Sequence, residues 1–306
     1  MKKLQLSILL ILILILGLRF FVQKETIKQD EQIAGEKVVD TGKVTMTFLD
    51  IGQGDATFIE FPDGQQMLVD CAIDGRILEA LGRVMPYYDR DIDYLLITHQ
   101  DLDHFGGCEE VLSRFEVKHI VYSGSQDKSN EMWQSFWEAK NREGAKYEEI
   151  QAEDVWTIAS TSIHFFYPDH AIVESNKIPG FEDEVNANNM SLVFRLDYGE
   201  NSVLMMADAE KELEIYLLET YGDQLDVDIL KLGHHGSDSS SIQEFIDMVS
   251  PEQAIASSGI GNKYGHPSRR VIKRVERASS TMWRTDLQGD ILLEMDNEGY
   301  EIGMKD

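Results

Sequence analysis

The chain has 306 residues, 42% of them hydrophobic, enough to bury one large core or two small ones. Its 28 basic against 55 acidic side chains leave a formal net charge of -27, which argues against a broad basic face, because nonspecific nucleic-acid binding draws on Lys and Arg neutralising phosphates. Two cysteines, Cys71 and Cys108, exclude a disulfide framework: at most one bridge can form, and each is expected to be a small buried hydrophobe.

The N-terminus differs in kind from the rest. Lys2 and Lys3 precede a nearly unbroken apolar run from Leu4 to Leu18, which resumes after Arg19 at Phe20 to Val22. About 19 residues of this character are near the minimum for ~30 Å of hydrocarbon. A cleaved signal peptide, giving a secreted protein, is one reading, but no small-residue cleavage site follows the apolar core before Lys24. An uncleaved anchor is the other, and Lys2 and Lys3 supply the positive charge it needs on the cytoplasmic side, while Arg19 can snorkel. The expected organisation is therefore a transmembrane anchor over 1–23, a polar tether over 24–43 and a domain over 44–306 outside the cytoplasm.

Ordered sequence begins with VTMTFLD, which alternates as a strand does, and GQGD follows as a glycine-rich turn. ATFIEF and QQMLVD, joined by PDG, read as a hairpin. Residues 75–84 and 105–114 have helical spacing, and IDYLLIT at 92–98 reads as a buried strand because its apolar run is continuous. VKHIVYS is a strand, and the helix over 129–143 carries Trp133 and Trp137 as core rather than as a ligand cage. Short strands near 145–151 and 161–167 precede an acidic irregular loop over 168–189. MSLVFRLDYGENSVLMMAD is a hairpin closing on Asp208, followed by a helix over 209–220, strand DVDILKL and a helix near 241–249. Strand QAIAS, a helix starting near Pro267, and strands TMWRT, DILLEM and YEIGM complete the chain. Strands with helices packed outside them predict an α+β fold: an αββα sandwich of two mixed sheets flanked by helices.

Three of the loops that end apolar strands carry metal-capable side chains. They are His99-Gln100-Asp101-Leu102-Asp103-His104, then Ala207-Asp208, then Gly233-His234-His235-Gly236-Ser237. A strand end is a rigid base for a functional loop, and imidazole with carboxylate suits zinc, manganese or iron. Three such loops together point to a metal site where any one would be weak.

These segments resemble the metallo-β-lactamase superfamily, THQDLDH matching its HxHxDH signature with Asp101 at the second histidine. The pattern is most similar to the extracellular hydrolase domain of ComEC-type competence proteins, through FLDIGQGDATFIEF, MLVDCA, ITHQDLDHFGG, NNMSLVFRL, LMMADAE, LKLGHHGSDSSS and NKYGHPS. One anchor in place of many membrane spans means that a role in DNA uptake does not carry over. The resemblance implies one or two divalent ions, zinc or manganese. Asp103, His104 and His235 would hold one, His99 and Asp101 the other, with Asp208 bridging. The superfamily's further histidine falls in ANNMSL, where Asn189 or Ser191 is the nearest substitute, so the second position is expected to be oxygen-rich. Of the histidine pair, His235 is expected to face the metal and His234 to face away.

Metal-assisted hydrolysis follows as the implied chemistry, with Asp103 orienting water and His266 either donating a proton, contacting phosphate or capping the helix after it. Gln53, Asp55 and Asp70 are expected around the ligands. Ser237 to Ser241 contact phosphate or, by the favoured reading, cap the next helix, and His119, His164 and His170 are structural. The expected function is a membrane-anchored, extracytoplasmic phosphodiesterase, with nucleic acid among its substrates. Hydrolysis of a small ester, thioester or lactam, and a degenerate metal-binding surface module, are the alternatives. No protein partner follows from the sequence.

Overall fold

The computed structural model describes residues 41–125 and 130–305. The expected membrane anchor lies outside the described residues, as does nearly all of the tether, and among the described residues no helix is long and apolar enough to cross a membrane.

The described residues build two mixed sheets. The first, of eight strands, begins with β1 (Val44–Phe48) and the hairpin β2 (Thr57–Glu60) and β3 (Gln66–Val69). Helix α1 (Arg76–Val84) crosses over to β4 (Asp91–Ile97), which runs parallel to β3. Short helices α2 (Leu102–Phe105) and α3 (Cys108–Arg114) lead to β5 (Glu116–Tyr122), and α4 (Glu131–Glu143) leads to β6 (Lys146–Glu149). The second sheet, of seven strands, holds β7 (Asp154–Ile158), β8 (Thr161–Tyr167), β9 (Val193–Tyr198) and β10 (Asn201–Met205). After α5 (Lys211–Tyr221) it adds β11 (Ile229–Lys231), α6 (Gln243–Val249), β12 (Gln253–Ala256), α7 (Arg269–Arg277) and β13 (Thr281–Arg284). The last turn of helix, α8 (Thr285–Gln288), returns the chain to the first sheet, where β14 (Ile291–Met295) pairs antiparallel with both β1 and β15 (Tyr300–Met304).

Three apolar layers separate these elements. Met46, Phe48, Ile59 and Leu96 of the first sheet meet Phe165, Phe194, Met205 and Ile255 of the second in the layer between sheets. Ile77, Leu81, Val111, Trp133 and Phe136 cover the outer face of the first sheet, and Leu213, Leu217, Phe245, Val271 and Val275 that of the second. The αββα sandwich predicted from strand and helix patterning is therefore the observed one.

Four local expectations change. The predicted helix over 105–114 is two helices broken at Gly106-Gly107, where a Cβ on Gly107 would lie 2.3 Å from the Cys71 carbonyl oxygen. Both cysteines are buried as expected, but they are joined as a Cys71–Cys108 disulfide. Their separation of 37 residues says nothing of the apposition of the β3 end and the α3 start, which brings the Cα atoms to 5.2 Å. Strand β7 escapes patterning because it is an edge strand that begins at Asp154, just after Glu153, with Val155 exposed.

The serine turn after β11 does not cap α6. The amides of Ser241 and Ile242 donate instead to the carboxylate of Glu214, fully buried on α5. Burial lifts that carboxyl to about 8 against the pull of the two amides. A carboxyl raised in the folded state binds more protons folded than unfolded, so its contribution to stability falls as pH rises from about 4.5 to about 8. Glu214→Gln, which cannot titrate, is expected to lose less stability than wild type over this window, by about 1 to a few kcal/mol. Urea midpoints taken between pH 5 and 8 check this, and parallel curves for the two proteins would contradict it.

Candidate metal centre

The three metal-capable loops converge at the ends of β4, β10 and β11, one strand from the first sheet and two from the second. Thr98 and His99 leave β4 directly, and Asp101 precedes α2, whose first turn carries Asp103 and His104. The loop is held from two sides. The Cys71 amide donates to the His104 carbonyl at 2.6 Å and the Asp55 amide to the Asp103 carbonyl at 3.1 Å. Gly54, at φ 111°, passes so close that a Cβ there would lie 2.1 Å from the Asp103 carbonyl oxygen, which is the reason for glycine in GQGD. The Cys71–Cys108 bond ties the same two segments covalently.

Each buried imidazole of these loops is fixed through Nδ1. His104 Nδ1 lies 2.7 Å from Asp70 Oδ2, His99 Nδ1 lies 3.0 Å from Thr98 Oγ1, and His235 Nδ1 lies 3.1 Å from the Ser257 carbonyl oxygen. Thr98 in turn donates to Asp70 through both its amide (2.8 Å) and its hydroxyl (2.7 Å). Such contacts set the tautomer that leaves Nε2 free as a lone-pair donor. The Nε2 atoms of His99, His104 and His235 and Asp208 Oδ1 are all buried without a hydrogen-bond partner.

Those free atoms point inward. His104 Nε2 lies 3.2 Å from Asp208 Oδ1, and His235 Nε2 lies 3.4 Å from Asp103 Oδ2 and 3.5 Å from Asp208 Oδ2. His99 Nε2 lies 4.0 Å from Asp208 Oδ2 and 3.9 Å from Asp101 Oδ2. Donors bonded to one tetrahedral ion at ~2.0–2.2 Å stand roughly 3.3–3.6 Å apart, so the set fits divalent metal with small adjustments. Among the described residues, three overlapping groups bring one donor atom from each member within 4.8 Å of the others: His99, His104 and Asp208; Asp103, His104 and His235; and Asp55, Asp208 and His235. Unpaired buried nitrogens aimed at unpaired buried oxygen are costly unless a cation joins them, and that is the fit the residues present.

Charge is distributed accordingly. Burial pushes His99 down to about 3, so it stays neutral. Burial alone would lower His104 and raise Asp208, but their mutual attraction, with Asp70 on His104 and His235 on Asp208, reverses both. Asp103 is likewise held below the usual carboxylate range against its burial, by His235 first and then His104.

The predicted supporting residues take mixed roles. Gln53 Nε2 donates to Asp103 Oδ2 at 3.4 Å, and Asp70 grips His104. Asp55 Oδ2 is engaged by Lys231 Nζ at 2.7 Å, in an ion pair 7% and 1% exposed. Asn189 and Ser191 do not replace the missing histidine. Their side-chain oxygens accept from the Glu210 amide (2.8 Å) and the Asp208 amide (3.2 Å), holding the loop that carries Asp208. Ser237 Oγ lies 3.0 Å from Ser239 Oγ, and the Ser237 amide donates to the His234 carbonyl at 2.7 Å. His266 does not cap α7; Ser268 does, accepting from the Val271 amide. His266 instead stands in a stack that runs outward from the centre, with ring centroids 6.4 Å from His235 and 5.7 Å from Tyr264. His119, His164 and His170 pair with Glu148, Glu153 and Asp169 away from the ligands.

Patterning missed Thr98, Lys231 and Glu210. Thr98 and Glu210 adjoin ligands in sequence, at His99 and two residues after Asp208, and that adjacency is the only signal they carry. Lys231 ends an apolar strand, and a lysine there is read as solvent-facing unless its partner is known.

Residues 49–259 match the family model of the metallo-beta-lactamase superfamily. The chain is similar to ComE operon protein 3 of Bacillus subtilis, 30% identical over 279 residues, covering 82% of this chain and 32% of that protein. It is similar also to competence protein ComA of Neisseria gonorrhoeae, 29% identical over 257 residues, covering 83% of this chain and 32% of that one. The chain thus spans about a third of the length of these relatives. Among solved structures, the metallo-beta-lactamase fold protein YhfI from Bacillus subtilis matches 83% of this chain and 100% of its own with a TM-score of 0.54 at 12% identity, a likeness of fold.

Proposed function

From the premise that the chain belongs to the metallo-β-lactamase superfamily, we propose that it is a metal-dependent phosphodiesterase acting outside the cytoplasm. The observation that carries this reading is the carboxylate-rich donor set gathered around Asp208, with Asp101 and Asp103 alongside. His99, Asp101, Asp103, His104, Asp208 and His235 would hold divalent metal, which would supply Lewis-acid polarisation of a phosphoryl oxygen and lower the pKa of a bound water. Zinc or manganese suits that mixture of oxygen and imidazole.

The chain's own groups supply the rest. Asp103, steadied by Gln53 at 3.4 Å and by His235 at 3.4 Å, accepts a proton from the attacking water and orients it. His266, whose Nδ1 has no hydrogen-bond partner and whose pKa is lowered by burial and by His234 and His235, offers a neutral imidazole to a phosphoryl oxygen. The objection from a net charge of -27 is met locally. Lys263 lies over the Tyr264 ring, and Arg269, Lys273 and Arg277 are exposed on α7, which begins three residues after His266, while Arg270 is paired with Asp238. Polyanionic substrates, nucleic acid among them, suit those cations.

Placement outside the cytoplasm rests on the apolar N-terminal run with its flanking Lys2 and Lys3, and the Cys71–Cys108 disulfide agrees with an oxidising compartment.

Turnover of bis(p-nitrophenyl) phosphate, labelled single-stranded DNA and a β-lactam by the full chain, each with zinc or manganese, tests the assignment. Phosphodiester cleavage is expected, and Asp103→Ala should lower it by roughly 10³-fold with an unchanged far-UV spectrum. Cleavage of the lactam alone would sink the phosphodiesterase reading, and no turnover with any metal would make the domain a binding module.

A further inference from the structure

We propose that His234 is a metal ligand: the donor that completes the position formed by His99, Asp101 and Asp208, rather than the member of the pair that faces away. The inference rests on the metal centre of the preceding section and adds a side chain to it.

The backbone turns both histidines to one side. His234 (φ 44°, ψ 51°) and His235 (φ 55°, ψ 20°) are consecutive left-handed residues, a conformation that costs a non-glycine residue roughly 1–2 kcal/mol. The result is that His235 Nε2 lies 3.5 Å and His234 Nε2 lies 3.8 Å from the same atom, Asp208 Oδ2. His99 Nε2 stands 4.0 Å from that oxygen and 3.9 Å from Asp101 Oδ2. His234 Nε2 thus stands as near to Asp208 as His99 Nε2 does, both a few tenths of an ångström beyond the roughly 3.3–3.6 Å between donors on one ion, so both rings would move inward on binding.

The far side of the ring is built as it is for the buried ligands. His234 Nδ1 lies 3.1 Å from Glu210 Oε1, 3.2 Å from Ser239 Oγ and 3.3 Å from Asn188 Nδ2. Glu210 is itself clamped, accepting from Asn186 Nδ2 (2.8 Å), Asn188 Nδ2 (3.2 Å) and Ser239 Oγ (2.8 Å). A carboxylate acceptor at Nδ1 puts the proton there and leaves the Nε2 lone pair facing Asp208. The ANNMSL segment, which lacks a histidine, thus contributes Asn188 to the group that aims His234. His234 is the most exposed imidazole of the four, its side chain 24% accessible, so it closes the centre on the solvent side.

Metal titration of the full chain decides the matter without reference to turnover. Manganese uptake is followed by calorimetry and cobalt by its visible spectrum, in wild type, His234→Ala, His234→Asn and Glu210→Gln, with His119→Ala as control. Asparagine tolerates the left-handed backbone, so His234→Asn keeps the test sound if the alanine variant misfolds. Wild type should take up two ions. Both His234 variants should bind one of them at least about 100-fold more weakly and the other as wild type does, Glu210→Gln should weaken the same ion about 10- to 100-fold, and the control should bind both. Two ions at wild-type affinity in His234→Asn, or a single ion unaffected by the change, would overturn the assignment. Uptake of both ions by a wild-type chain that cleaves no phosphodiester would refute the proposed substrate and leave the ligand assignment standing.

Discussion

Asp208→Ala is expected to cost the protein both metal positions and at least about 10³-fold in hydrolytic rate. The reason is its placement: Oδ1 faces His104 Nε2, while Oδ2 faces the Nε2 atoms of His99, His234 and His235. Asp208 belongs to two of the three donor groups, as His104 and His235 do, but its two oxygens face all four imidazoles, so both positions lose a donor with it. Several kcal/mol of charge stabilisation is lost with the metal, which corresponds to that rate. The alanine should be tolerated by the fold, because the loop is pinned by main-chain contacts: the Ala209 amide donates to Met206, and the amides of Asp208 and Glu210 donate to Ser191 and Asn189. Elemental analysis after chelation and reloading, alongside turnover, is the measurement. A variant that reloads to wild-type metal content and rate would remove Asp208 from the centre of the site.

Lys231→Met should be the most destabilising change outside the ligands, by about 3–5 kcal/mol. Lys231 Nζ and Asp55 Oδ2 are 2.7 Å apart and nearly solvent-free, on β11 and on the GQGD turn. Burial pushes the Asp55 carboxyl up, and Lys231, followed by His235 and His104, brings it below its ordinary value. Methionine fills the volume but leaves the carboxylate buried beside Asp208 with its strongest counter-charge gone. Without that counter-charge the Asp55 carboxyl rises, so the penalty should be largest near neutral pH and shrink in acid, where the carboxyl is protonated in both states. Urea unfolding at pH 7 and pH 4, with chelator present, tests both parts. A loss below about 1 kcal/mol at pH 7 would mean that the pair contributes little to holding the two sheets' loops together.

The pair also marks where patterning loses its reach. Asp55 stands in the GQGD turn, but nothing in DILKL names a partner 176 residues away. The same holds for Cys71 and Cys108, whose burial was legible and whose bond was not. Asn189 and Ser191 read from the sequence as substitutes for a missing histidine, while in the fold their side-chain oxygens accept from the amides of Glu210 and Asp208.

Local chemistry by itself determined most of the architecture and the ligand loops. Alternation in VTMTF, the continuous apolar run of IDYLLI and helical spacing on α1, α4 and α7 report burial within a few residues, and burial faces decide an αββα sandwich. The loops of His99 to His104, Asp208 and His235 were visible because each follows such a strand. What only tertiary structure decided is the pairing between those segments: the disulfide, the buried Lys231–Asp55 pair and the turn of His234 toward Asp208. Periodicity encodes which face of an element is covered. The distances between side chains on different elements depend on strand register, loop φ/ψ and the apposition of two sheets, and no local repeat carries those.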